Sequence, residues 1–127
     1  MTTPVRTVPD GERRAHLGAR HALAEGVNDV EAAARAVVCL HAAEPSSVHL
    51  SAWARAGAGR GDVDRSLYDR RSLVEQRAMR RTVFAVPVDL LPAVRTSAAA
   101  RVAAQQAGLL ARGVVAGGLA EHPQDEP

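Results

Sequence analysis

The sequence predicts a mostly α-helical domain with one short β-hairpin. Two observations carry this. Helix caps followed by apolar residues at three-to-four spacing recur along most of the chain. Strand character is confined to residues 72–75 and 82–86, where Val83, Ala85 and Pro87 alternate at period two with Thr82, Phe84 and Val86. A third observation gives the hairpin its character. Between Arg70 and Thr82 stand Arg70, Arg71, Arg77, Arg80 and Arg81 against one acid, Glu75. Three helices followed by an arginine-tipped hairpin follow the order of a helix-turn-helix plus wing, so the fold expected is winged-helix-like, flanked by an N-terminal helix and a long C-terminal helix.

A chain of 127 residues makes one domain with a modest core. All sixteen basic residues are arginine, alanine dominates the apolar fraction, and the net charge is only +2, so local charge is more telling than the total. The lone Cys39 has no disulfide partner within the chain, which fits a reducing compartment. No apolar run approaches a membrane span and the N-terminus lacks the apolar core of a signal peptide, so a cytoplasmic protein without membrane association is expected. One Trp, one Tyr and one Phe leave little for a base-stacking platform.

Residues 1–9 read as a flexible arm, 10–112 as the winged-helix-like domain and 113–127 as a disordered tail. Asp10 should cap a helix running to about Ala24, with Gly26 ending it. His16 and His21, five apart, do not share the face a helical metal pair needs. Asn28, as an N-cap with Glu31 three residues on, should open a second helix. Val30, Ala33, Ala34, Val37 and Leu40 mark its buried face, and Pro45 stops it. The next helix, 46–56, should turn Val48, Ala52 and Trp53 toward the core. Gly57, Gly59 and Gly61 form a turn, and Asp62 should cap a third helix to about Arg70 with Val63 and Leu67 inward. Its charges nearly cancel, with Arg65 placed to pair with Asp69. This helix is therefore a poor groove reader, and the hairpin is the better DNA contact. After Pro87, Asp89 should cap a long helix with a stripe of Leu90, Val94, Ala98 and Val102, fading by Gly113.

The hairpin arginines allow two readings. They can lie along a phosphate backbone, or they can keep an edge hairpin soluble and block edge-to-edge pairing. The chain holds no Gly-rich phosphate loop, paired-cysteine spacing or nucleophile elbow, and no metal or cofactor is expected. Cys39 reads as a small buried apolar residue, and His41 as a residue meeting a helix C-terminal dipole.

The segments VVCLHAAEPSSVHLSAWAR and DVDRSLYDRRSLVEQRAMRRTVFAVP resemble the start of the winged-helix DNA-binding proteins that include the AlkZ-like and YcaQ-like bacterial DNA glycosylases. The resemblance covers roughly residues 12–105, centred on LHAAEP and MRRTVFAVP. It implies a catalytic Gln-x-Gln or Gln-x-Asp pair where this chain has His41-Ala42-Ala43, and it implies further C-terminal winged-helix domains in longer relatives. Alanine at position 43 offers no group to hold a water or stabilise a sugar cation. The function implied is a DNA-binding domain of this glycosylase kind without base-excision activity, with Arg70, Arg71, Arg77, Arg80, Arg81 and Thr82 on DNA and His41 the one catalytic candidate. The alternatives are a small helical module that dimerises or docks through its C-terminal helix, and a base-excision enzyme using His41.

Overall fold

A computed structural model describes residues 6–118, so the expected arm falls partly, and most of the expected tail wholly, outside the described residues. Helix α1 (Asp10–Arg20) is followed by α2 (Val30–Ala36), strand β1 (Leu40–His41) and α3 (Pro45–Ala56). Helix α4 (Arg60–Asp64) runs on through a π turn at Arg65–Asp69. Strands β2 (Leu73–Arg77) and β3 (Val83–Pro87) enclose a 3-10 turn at Met79–Arg81. Helix α5 (Leu91–Val94) continues through a π turn, Arg95–Ala99, into α6 (Ala100–Ala116).

The hairpin forms where the alternating pattern sets it, with Val74 opposite Val86 and Glu75 opposite Ala85. It belongs to a three-stranded antiparallel sheet of order β1-β3-β2. Strand β1 was not expected, because 37–44 reads as the tail of a helix. It pairs Leu40 with Ala85 and His41 with Phe84, and the Ala42 amide continues the ladder to the Val83 carbonyl at 2.9 Å. The helix stops at Ala36 because Val37 leaves helical geometry and Val38 takes a left-handed backbone at φ 74°.

Successive residues of β3 face opposite sides, and two cores result. Ala85, with Leu40 and Leu73, meets Val30 and Ala34 of α2, Val48 and Ala52 of α3 and Val63 of α4. Val86 meets Cys39, Ala78, Val94 and Ala99, with Phe84, Leu90 and Ala98 packed around them. The helices α2–α4 therefore cover one face of the sheet and the start of the C-terminal helix covers the other.

Several local expectations shift. Asp29, not Asn28, caps α2 by accepting from the Ala32 amide at 2.7 Å. Pro9 precedes α1, which ends at Arg20 rather than near Ala24. Asp62 sits at the third position of α4 and reaches back to the Gly59 amide at 2.8 Å, while its other oxygen takes Arg65, displacing the pair expected with Asp69. Trp53 is 65% exposed rather than buried. Its neighbour Ala52 occupies the core-facing position, and one residue further on, a helix has turned about 100°. Asp89 does not cap α5; its carboxylate crosses to Arg35 of α2 at 2.9 Å. The last helix persists past Gly113 to Ala116.

Candidate nucleic-acid interface

The hairpin turn is built on a buried foot. Ala78 is fully buried in the second core, and its amide donates to the Thr82 carbonyl at 2.9 Å while its carbonyl accepts from the Arg81 amide at 3.2 Å. Closing the turn this tightly places Arg80 and Arg81 in consecutive left-handed conformations, φ 53° and 61°. Each costs about 1–2 kcal/mol for a residue with a Cβ. Both side chains, with that of Arg77 at the end of β2, stand in solvent. Thr82 is half-buried beside them.

The other two expected arginines differ. Arg70 is held at the hairpin base by Glu31 at 3.3 Å and Ser66 Oγ at 3.1 Å. Glu31 also accepts from Ser66 at 3.0 Å and from Ser72, so it ties α2 to the helix before the hairpin and to the approach to β2. Burial pushes the Glu31 carboxyl up, but the hydrogen bonds from Ser72 and Ser66 and the nearby Arg70 charge outweigh it and hold the carboxyl below its ordinary range. Arg71 is exposed in a left-handed backbone, φ 50°.

His41 lies on the edge strand, not at a helix terminus, with its ring edge-on to Phe84 at 5.5 Å between centroids. It is exposed, as are Ala43 and Glu44, while Ala42 between them is buried. Cys39 is buried, and that burial pushes its thiol up. Among the described residues no His, Cys, Asp and Glu cluster could hold a metal ion, and no helix is long and apolar enough to cross a membrane.

The turn does not stand alone. Against it lies the C-terminal helix, and between them runs a groove of about 460 Å³ lined by Arg80, Arg81, Arg101 and Gln105 over Ala98 and Val102. It continues into a second hollow of about 490 Å³, where Arg81 and Gln105 are joined by Arg112. Reading the sequence by its apolar stripe missed Arg101 and Arg112. A signal was available: residues 76–116 hold Arg77, Arg80, Arg81, Arg95, Arg101 and Arg112 against one acid, Asp89. That acid is taken by Arg35, and none of the six arginines makes an ion pair among the described residues.

Compared with known proteins, the chain matches the family model described as DNA glycosylase AlkZ-like over residues 34–125. No curated protein and no solved structure matches it.

Proposed function

The chain belongs to the AlkZ-like DNA glycosylase family, and from that premise we propose that it is a cytoplasmic, winged-helix-like domain that binds duplex DNA through its hairpin. The observation that carries this reading is the turn: Arg77, Arg80 and Arg81 are exposed and unpaired among the described residues, the last two on a left-handed backbone. Guanidinium groups pair readily with phosphate oxygens. Arg71 and Thr82 extend the contact, while Arg70, engaged by Glu31, braces the hairpin base. Binding is non-specific and falls steeply with salt. Each phosphate neutralised contributes about −0.9 to the log–log slope, so replacing all three arginines with alanine removes roughly 2.7 from it and most of the affinity. A salt titration of duplex binding in which the triple variant matches the parent would falsify the hairpin reading.

The same domain does not excise bases as it stands. Breaking a glycosidic bond requires groups that stabilise the developing sugar cation and place a water beneath it. At the motif implied by the family resemblance, His41 is the only polar side chain and Ala43 supplies none. Duplex carrying a methylated purine, treated with the chain and then with alkali, should be cut no more than in buffer. Cleavage that disappears in His41→Ala would make His41 catalytic.

A second reading rests on a separate observation. Leu110 is 69% exposed and Val115 54% exposed near the end of α6. A module that dimerises or docks through this helix would show a concentration-dependent dimer and no affinity for DNA.

A further inference from the structure

We infer that the groove between the hairpin turn and α6 is a phosphate-binding strip in its own right, so that the long helix grips one DNA strand together with the hairpin. This rests on the duplex-binding reading above but names a different element and different residues, Arg101 and Arg112, with Gln105 between them.

The spacing places these groups on one line. Arg101, Gln105, Gly108 and Arg112 are separated by four, three and four residues, which is one face of an α-helix. Eleven residues at about 1.5 Å each put the two arginines about 16 Å apart. A DNA strand rises about 3.4 Å per nucleotide, so the line spans the phosphates of about five nucleotides. Arg80 and Arg81 form the opposite wall, and Arg81 lines both hollows, which makes the groove continuous.

The walls between the charges suit a close-lying backbone. Ala98, Ala104 and Gly108 are small, and the half-buried Ala98 and buried Val102 offer an apolar floor to deoxyribose. Among the described residues no carboxylate lines either hollow, and α6 carries no acid at all. A helix whose arginines served only solubility would carry both signs, as α1 does with Asp10 and Glu12 in its first turn ahead of Arg13, Arg14 and Arg20. On α6, aligned cations face a groove whose other wall is also cationic, an arrangement that self-repels until an anion enters.

The test is duplex binding by fluorescence anisotropy across a salt series, using the full chain. Arg101→Ala with Arg112→Ala should lower the log–log slope by about 1.8, two contacts at about 0.9 each. Lysine at both positions should preserve the slope, because it retains the charges. Arg14→Ala with Arg20→Ala, an equal loss of charge from the exposed face of α1, should leave the slope unchanged. If the Arg101/Arg112 alanine variant binds as the parent does while the hairpin triple variant still loses affinity, the groove assignment is wrong and the duplex-binding reading stands. If the α1 control loses as much as the groove variant, the effect is net charge and the assignment is overturned. A parent chain that fails to bind duplex at low salt overturns both.

Discussion

The two halves of the molecule treat charge in opposite ways. Up to residue 69 the chain carries eight arginines and nine acids, and most of its ion pairs lie among them: Arg6–Glu12, Arg13–Asp10, Arg60–Asp64 and Arg65–Asp62. From residue 70 to 116 there are eight arginines and two acids, and no ion pair lies wholly within that span among the described residues. Among the described residues only Arg70 and Asp89 of that span pair, and both reach back to α2. Paired charges at a surface contribute little and cost little. Unpaired like charges gathered on one face work against the fold, and a protein keeps them where a partner of opposite sign completes them. One half thus nearly balances its charge, and the other carries an excess of arginine unpaired among the described residues.

Packing divides by the two faces of the sheet rather than at residue 70, and the largest expected effect tests that difference. Leu73 is 1% exposed in the core beneath α2–α4, so Leu73→Ala should cost about 2–5 kcal/mol in urea unfolding. Val102, 8% exposed at the edge of the second core, should cost about 1.5 kcal/mol as alanine, the burial of roughly two methylenes. Equal costs would break the comparison, because the C-terminal helix would then be as integral to the fold as the helical layer.

A smaller effect sharpens the account of Glu31. Its carboxyl titrates below the ordinary range, so it adds stability above the unfolded glutamate value of about 4.3 and loses it as pH falls through the lower folded value. Glu31→Gln should cost about 1–3 kcal/mol at neutral pH and flatten the acid limb of the stability profile. An unchanged acid limb would show that the cluster does not hold the helical layer to the hairpin base.

The smallest effect belongs to the more exposed of the two ion pairs that join the halves among the described residues. Arg35 holds the Asp89 carboxyl below its usual range by hydrogen bonding and charge. Both side chains are about half exposed, at 49% and 53%. Arg35→Ala should melt slightly earlier than the parent at low salt and together with it at 1 M salt, where screening acts within about 3 Å. A salt-independent loss would mean that Arg35 acts through packing and not through its charge.

The hairpin and the inner stripe of the C-terminal helix were legible because each obeys a single period. Val83 to Val86 alternate cleanly, and Leu90, Val94, Ala98 and Val102 recur every fourth residue. Strand β1 was not legible, since two residues are too few to show a period and Val37 and Leu40 extend the helical spacing of α2 by coincidence. The β-branched pair Val37-Val38 was the one local hint that the helix stops. Asp89 and Trp53 misled because local rules place a cap and a large apolar side chain, whereas Arg35 takes the Asp89 carboxylate and Ala52 fills the core-facing position beside Trp53. The arginine-rich turn was visible in a short window. Arg101 and Arg112 were not, because their meaning depends on the groove that only folding creates.

The unexpected strand has a consequence for what this scaffold can be made to carry. Positions 41 and 43 both point outward while Ala42 is buried between them, and the stretch is held by main-chain bonds to β3. Nothing in that ladder depends on which side chains are displayed. Two outward positions spaced by one inward residue form a socket whose contents can be exchanged at little structural cost. Gln or Asp introduced at 41 and 43 would enter solvent-facing sites at the cost of the edge contact between His41 and Phe84. At this edge the displayed side chains and the architecture are separable, because the main-chain ladder holds the strand.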